Sequence, residues 1–465
     1  MLVRGTRRLA SGFAIALVLL TLFMVYYGPN MSDVPPATPP GKPPIVVKPD
    51  PVDKVPAKPL PTTTTPSGFQ RVPRPGGVTD YVKKTHRELS SLTTSDGGYF
   101  DVDYSPWPAY NPNFTPHPTK NDTWITVAQY HKNATENQVW FTQVICEAQF
   151  MGNSLHCIHP PWIVPIPPTW TDACTGDIAH FNMNIGPHDA RVFYGPERPY
   201  ILYGTQASYA CFGQYFQDFT LVSDWPGAWP GKFKRPTEIM KPPPHKYSKV
   251  EKNWFLFWDS EGELFIHHDI APTRIFGKME DDGTIEKDAN QLIATEEAAC
   301  LESLMPYAKP TYEESIHQAT NSLAVTMCKR TDPSCIPSER NTFVFHIFHW
   351  KSFYEFHGLY EPYVHMFSQY APYRTYGVSS KPLWFRGRRL PGTWREEGLN
   401  GWNQTEMVYT TSIAWKEHGM KYHGYLDDIL LIGFGIEDKE SGGLDIRAAD
   451  LFKDIVTCDG SPVNV

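Results

Sequence analysis

The chain has 465 residues, of which 44 are proline and 64 are aromatic (Phe 26, Tyr 24, Trp 14), and its formal net charge is −8. So many aromatic residues exclude a wholly disordered chain, which lacks apolar surface to offset the entropy of ordering. The prolines argue against a mainly helical protein, because each proline inside a helix costs about 3 kcal/mol. Residues 1–75 carry a net charge of +6, so the remaining residues carry −14. This acidic body argues against non-specific nucleic-acid binding, which needs a cationic surface.

The first 77 residues predict a membrane anchor on a stalk. Residues 1–8 are basic and read as a cytosolic tail, and residues 9–27 are uncharged and apolar, long enough for a short transmembrane signal anchor. A cleaved signal peptide is the alternative, although no small-x-small cleavage site follows the apolar run. Residues 28–77 are rich in proline and threonine, which predicts an extended stalk. Residues 78–465 then form the lumenal domain.

Two features agree with a lumenal body. All eight cysteines lie beyond the stalk, and an even count in an oxidising compartment predicts disulfides, with 105 full pairings possible. N-glycosylation sequons occur in the same part of the chain. They place candidate glycans on Asn113, Asn121, Asn133 and Asn403.

The body alternates short apolar strands with turns. Residues 124–130 and 139–148 predict one hairpin, residues 191–193 and 200–204 another, and residues 254–258 and 264–270 a third. Further strands are expected at residues 342–350, 407–415 and 429–436, and helical pattern is confined to residues 288–304 and 446–456. The strands fall into five clusters, which predicts an all-β fold, a five-bladed β-propeller.

Polar residues gather at the ends of these strands. The first set is Asp189 and Arg191, two apart on a strand and therefore on one side of it. The second joins Lys252 and Asn253 to His268 across a hairpin, which could form a site for phosphate or diphosphate. The others are His346, within an aromatic strand, and Asp438, directly after a buried strand.

Each set also has a purely structural interpretation. Asp189 and Arg191 could be an ion pair at a strand end, Lys252 a solvated residue, His268 a satisfied core histidine and Asp438 an ordinary turn acid. No metal site is predicted, because the histidines lack carboxylates at ligand spacing. The pattern Asp101-Val102-Asp103 leaves a divalent metal open, although matches of three residues are common by chance.

Taken in order, these segments resemble the five-bladed β-propeller family of β-mannoside phosphorylases and related mannosyltransferases. Residues 110–112 (Tyr-Asn-Pro) are similar to an Asn-Pro of the first blade, residues 186–191 to a Gly-x-Glu-Asp-Pro-Arg motif, and residues 252–254 to a Lys-Asn-Trp motif. Residues 268–272 and 434–438 resemble two later motifs. His188, Ala190 and Asp269 depart from the family pattern.

The resemblance implies roles for these residues. Asp189 would be the catalytic acid, and Arg191, Lys252, Asn253 and His268 would hold a phosphate or diphosphate. Asn111 and Asp438 would complete the substrate-binding set, to which His346 is added from its place in the aromatic strand and not from the resemblance.

The leading hypothesis is an inverting mannosyltransferase of the Golgi membrane, a single-pass type II protein with a lumenal catalytic domain. It would use a nucleotide-sugar donor similar to GDP-mannose and a glycan or glycoprotein acceptor, with no firmly implied cofactor and no nucleic-acid partner. A glycoside hydrolase or phosphorylase acting on β-mannoside-type glycans is the alternative, and a non-catalytic glycan-binding propeller is the third hypothesis.

Overall fold

The computed structural model describes residues 80–465 except 136–137, 228–230, 310–313, 355–356, 395–403 and 464. The expected tail, anchor and stalk at residues 1–8, 9–27 and 28–77 lie outside the described residues. Among those that are described, no helix has the length and apolarity needed to cross a membrane. This finding contradicts the expected localisation in the Golgi membrane, which is therefore given up.

The regular structure of the described chain is mostly β-strand. The strands are β1 (Arg87–Leu89), β2 (Phe100–Asp103), β3 (Tyr110–Pro116), β4 (Trp124–Thr135), β5 (Gln138–Met151), β6 (Ser154–Cys157), β7 (Trp162–Ile163), β8 (Asn184–Ile185), β9 (His188–Tyr194), β10 (Pro199–Gln206), β11 (Phe212–Asp218), β12 (Thr237–Glu238), β13 (Phe255–Trp258), β14 (Leu264–Asp269), β15 (Ile275–Lys278), β16 (Ser315–Gln318), β17 (Leu323–Thr326), β18 (Thr342–Tyr354), β19 (His357–Ser368), β20 (Thr375–Ser379), β21 (Leu383–Phe385), β22 (Val408–Trp415), β23 (His423–Tyr425), β24 (Ile429–Ile436), β25 (Glu440–Arg447) and β26 (Ile455–Thr457). The α-helices are α1 (Asp80–Thr85), α2 (Ala294–Leu304) and α3 (Ala448–Phe452).

Most strands pair with their neighbours in sequence, and the antiparallel pairs form successive groups. The groups are β3–β6, β9–β12, β13–β15, β16–β20, and β22 with β24, β25 and β2. The last group joins strands from the two ends of the described chain, because β2 pairs with β25 through Phe100 and Gly443. β2 also runs parallel to β6, so this pairing links the fifth group to the first. The all-β prediction is confirmed.

The apolar core lies largely between neighbouring groups. One cluster places Ile125 of the first group against Val192 of the second. Another packs Phe257 of the third group with Phe367 of the fourth. A cluster containing Phe114 and Leu431 joins the first group to the fifth in the same way. Where neighbouring groups cover both faces of a strand, as for β24, the strand is apolar on both sides rather than alternating.

Side chains that bond to the backbone of the next group hold the first strands of the groups together. The Asn113 amide on β3 donates to the Ala190 carbonyl at 2.9 Å and accepts from the Val192 N–H at 3.1 Å, both on β9. Asn321 makes the same two-way bond to Ile413 of β22, at 2.9 and 3.0 Å. These bonds satisfy backbone groups that would otherwise be buried without partners.

The role of Asn113 corrects one sequence-based prediction. Its side chain is buried and its amide nitrogen is used within the fold, so Asn113 has no room for a glycan. Asn121 is exposed in a turn, as a glycosylated residue must be. The side chain of Asn133 and the whole of Asn403 lie outside the described residues.

The cysteines pair completely within the described chain. The disulfides are Cys146–Cys157, Cys174–Cys211, Cys300–Cys458 and Cys328–Cys335. The general prediction of disulfides is confirmed, and the structure supplies the pairing that the sequence left open. The helix expected over residues 446–456 is much shorter, because residues 446–447 end β25 and residues 455–457 form β26.

Candidate functional site

The first strands of the groups meet around one cavity of about 470 Å³. Asn111 comes from β3, Asp189 from β9, Asn253 from the residues before β13, Gln318 from β16 and Tyr409 from β22. Every antiparallel group therefore contributes at least one polar side chain to the same space. A cavity lined by a few convergent polar groups is the usual form of a small-molecule site.

Several of these residues share an unusual backbone conformation. Asn111, Asp189, Asn253 and Asp438 have φ values of 59°, 50°, 61° and 49°. This left-handed region is accessible mainly to glycine, asparagine and aspartate, which explains why these residue types recur at the cavity. The conformation repeats between groups although the sequence shows no repeat of fixed length.

Asp189 lies in the centre of a charged cluster. Its carboxylate is 3.5 Å from the Lys252 ammonium group, and the Arg191 guanidinium donates to the backbone carbonyl of Asp189 at 2.7 Å. Burial acts to raise the pKa of Asp189, but the charges of Lys252, His188 and Arg191 outweigh it and hold the pKa below its usual value. Asp189 is therefore ionised at neutral pH.

Asp438 behaves in the opposite way. It is solvent-exposed at the cavity, yet loss of hydration, followed by the negative charges of Asp189 and Glu437, raises its pKa to about 6. The cavity thus contains one carboxyl group that stays ionised and a second that holds its proton in mildly acidic solution. Two carboxyl groups whose pKa values are driven apart are the usual signature of an acid–base pair.

The position of Asp438 is fixed by the residue before it. The Glu437 carboxylate accepts hydrogen bonds from the Met407 backbone N–H and from the His357 ring, the latter at 3.0 Å. Since Glu437 and Asp438 both have left-handed backbones, these bonds anchor the strained turn that points the Asp438 side chain into the cavity.

Lys252 and Asn253 lie where the sequence predicted, but His268 does not act as a cation. Its Nε2–H donates to the Met240 carbonyl at 2.9 Å, and burial lowers its pKa to about 3. The ring is therefore neutral and its only N–H is already used, so His268 supplies no positive charge for a phosphate. It packs instead against the edge of Trp254.

His346 is not part of the cavity. Its ring is completely buried, bonds to His365 at 3.0 Å, and packs between Phe255 and the other core histidines. The prediction that His346 binds substrate is thus wrong, because both faces of β18 are covered and alternation along the strand gives no indication of a cavity. His349, three residues on, accepts a hydrogen bond from the Thr410 N–H, and its ring packs against Tyr409, which lines the cavity.

Several cavity residues escaped sequence analysis. Gln318 donates to the carbonyls of Asn253 and His268, at 3.1 and 2.9 Å, and thereby holds two predicted site segments in place. Tyr409 donates to the Asn253 side-chain carbonyl at 3.1 Å. The only signal for Gln318 was a four-residue strand, which was too short to recognise. For Tyr409 the signal was a phenol near the start of a predicted strand.

Other cavity charges are paired with one another. The buried Lys241 ammonium group lies 3.3 Å from Glu251 and 3.2 Å from Asp269, so it neutralises carboxylates that line the cavity. Asp101 and Asp103 lie on β2 and are not among the residues lining the cavity. Asp103 is engaged with Ser105 and His156.

Comparisons with known proteins give a likeness of fold alone. No protein-family model and no curated protein sequence matches the chain. The solved structures that resemble it include a mannose phosphorylase from Leishmania mexicana in complex with phosphate, with 11% identity, a TM-score of 0.38, and coverage of 75% of this chain and 88% of that one.

Two further neighbours are glycoside hydrolases. A GH62 hydrolase in complex with xylotriose is 11% identical over 77% of this chain and 99% of its own, with a TM-score of 0.35. An α-L-arabinanase from Cellvibrio cellulosa complexed with arabinohexaose is 10% identical over 72% and 90%, with a TM-score of 0.31. These neighbours are sugar-processing enzymes with propeller-like folds, and the substrates named are theirs.

Proposed function

We propose that the chain is a glycoside hydrolase that cleaves a β-mannoside-type glycan in the cavity, at the centre of five blades formed by the antiparallel groups. The observation that carries the proposal is the meeting of an ionised Asp189 and a proton-holding Asp438 in one cavity. The proposed order of functions reverses the sequence-based one, in which sugar transfer came first.

The two carboxyl groups supply what hydrolysis of a glycosidic bond requires. Asp438 donates its proton to the departing sugar oxygen, and Asp189, as the base, removes a proton from the attacking water. The C–O bond breaks as the water oxygen bonds to the anomeric carbon, and the configuration of that carbon inverts. Asp189 thus takes the role of base rather than the role of acid expected from the resemblance.

The presence of an acid distinguishes hydrolysis from transfer. A diphosphate leaves without protonation, so an inverting transferase needs a base but no proton-holding carboxyl group. A sugar alkoxide is a poor leaving group and needs the acid. Asp438, with its pKa raised to about 6, is thus best explained by cleavage of a bond between sugars.

A phosphate-bearing co-substrate is the second candidate, and two lysines favour it. Lys252 and Lys351 both line the cavity. The pKa of His317 is lowered to about 4, first by burial and then by the positive charges of these two lysines. Two ammonium groups near one neutral histidine form a positively charged region where phosphate could bind. Phosphorolysis, or transfer from a sugar nucleotide, would require such a region.

The test is product analysis with the purified full-length protein. Mannooligosaccharides are incubated alone, with inorganic phosphate, and with GDP-mannose. Hydrolysis releases free mannose in all three mixtures, with an inverted anomer visible by proton NMR. Mannose 1-phosphate formed only with phosphate, or GDP released only with an acceptor, would replace hydrolysis by the second candidate.

Variants connect the reaction to the cavity. Asp189→Asn and Asp438→Asn should each lower kcat by at least a hundredfold, since general acid–base catalysis contributes about 10²–10⁴. Asp103→Asn is the matched control, a half-buried aspartate that does not line the cavity. Undiminished turnover in both cavity variants would refute the proposed function.

A further inference from the structure

A second concave surface of about 670 Å³ lies along the β4–β5 hairpin. We call it the aromatic cleft. Its lining includes Trp107, Tyr130, Lys132, Trp140, Phe141 and Thr142. The volume falls within the roughly 300–1,000 Å³ typical of small-molecule sites, and the lining is mostly apolar with a few polar groups.

The aromatic rings of the cleft are presented to solvent. The Trp140 side chain is 52% exposed, and the Trp107 and Tyr130 rings meet edge to face with centroids 4.8 Å apart. Lys132 and Thr142 place hydrogen-bonding groups beside these rings. A sugar unit matches this surface, because it has an apolar C–H face that packs on an aromatic ring and hydroxyl groups at its edge.

The cleft and the catalytic cavity are lined by neighbouring residues of the same segment. Gly186 and Pro187 line the cleft, and Asp189, at most about 11 Å from Gly186 along the chain, lines the cavity. The Phe141 ring of the cleft packs on the His188 ring with centroids 3.8 Å apart. An oligosaccharide that extends past the Phe141–His188 contact would reach the aromatic cleft from the cavity.

We propose that the aromatic cleft binds the distal sugar units of an oligosaccharide whose scissile bond lies beside Asp189 and Asp438. This inference rests on the proposed function, and it adds a preference for longer chains over disaccharides. The occupant is an uncharged oligosaccharide, since Lys132 is the only charged residue among those that line the described cleft.

The test compares chain lengths in two tryptophan variants. Trp140→Ala removes the exposed ring of the cleft, whereas Trp170→Ala removes an indole that is 66% exposed and does not line the cleft. Both side chains are exposed, so both variants should fold. We expect Trp140→Ala to weaken mannotetraose binding by about tenfold, the upper end of what one aromatic contact supplies, and to leave mannobiose binding unchanged.

Binding is measured by calorimetry in the Asp438→Asn background, so it does not depend on turnover. If Trp140→Ala loses tetraose binding but the wild type cleaves no glycan, the proposed function is refuted and the cleft assignment stands. Equal tetraose affinity in both tryptophan variants would overturn the cleft assignment. The cleft assignment would also be overturned if the protein were a dimer in sedimentation velocity and Trp140→Ala were a monomer, because the cleft would then hold a second copy of the chain.

Discussion

The pKa of Asp438 provides the sharpest test of the electrostatic argument, because two neighbouring charges push it in opposite directions. The negative charge of Asp189 raises this pKa and the positive charge of Lys252 lowers it. Asp189→Asn should therefore lower the pKa of Asp438 from about 6, and Lys252→Met should raise it. The substituted residues, Asp189 and Lys252, are themselves 3.5 Å apart. A non-specific disturbance of this region would therefore shift the pKa of Asp438 in the same direction in both variants.

The magnitude follows from the size of the shift. Asp438 is about two units above its ordinary value, and loss of hydration accounts for the largest part, so removing one charge should move the pKa by about one unit. A carboxyl group with a pKa of 6 is about 9% protonated at pH 7, and about 1% protonated if the pKa falls to 5. Asp438 is solvent-exposed, so water screens the charges and we attach no stability change to this shift.

The assay is a carbon-13 NMR titration of the aspartate carboxyl groups, with the Asp438 resonance assigned by its loss in Asp438→Asn. Lys120→Met is the matched control, since Lys120 is paired with Glu147 and does not line the cavity. If Asp189→Asn and Lys252→Met shift the pKa in the same direction, or leave it unchanged, the assignment of Asp438 as the acid fails. In kinetics, wild-type kcat should fall about tenfold per pH unit above pH 6, as Asp438 loses its proton.

Three further outcomes are expected. Gly435→Ala would place a Cβ 1.9 Å from the side-chain oxygen of Asn111, so activity should fall and thermal unfolding should show a loss of about 1–3 kcal/mol; an unchanged protein would contradict the close approach. Asn113→Ala strands two backbone groups of β9 and should cost about 2–4 kcal/mol in urea unfolding, and mass spectrometry of secreted protein should find no glycan on Asn113. A disulfide that closes a longer loop removes more entropy from the unfolded chain. Removing the Cys300–Cys458 disulfide, which closes a loop of 158 residues, should therefore destabilise the protein by about 5 kcal/mol, and removing Cys328–Cys335, which closes a loop of 7, by about 2 kcal/mol. Equal losses of stability would contradict this argument.

Local pattern predicted the hairpins, and most of the site residues predicted from the sequence line the cavity. The turn between β13 and β14 is marked by Asp-Ser-Glu-Gly, and the strands on both sides are short, apolar and aromatic, so this hairpin was visible in the sequence. The same holds for β24, an unbroken apolar run that ends at Glu437 and Asp438. Charged residues that end such strands were therefore recognisable as site candidates.

Long-range pairing was not predictable in the same way. β2 pairs with β25 across more than 300 residues, and nothing in either segment specifies the other. His346 was misplaced for a related reason. β18 is covered on both faces, so the alternation that normally separates a core side from an open side is absent. The left-handed backbone at Asn111, Asp189 and Asn253 is likewise set by packing around the cavity, although the residue types permit it.

The distribution of charge bears on which substrate the cavity accepts. The body of the chain is acidic, so an anionic substrate would need a local excess of cations to overcome the surrounding field. Lys252 is paired with Asp189, Lys241 is shared between Glu251 and Asp269, and His268 is neutral. Lys252 and Lys241 thus hold carboxylates in their ionised form, which is what acid–base cleavage of a neutral glycan requires, and Lys351 is the further lysine among the residues that line the cavity. A nucleotide diphosphate would have to compete with Asp189 for Lys252, and that competition favours the uncharged substrate.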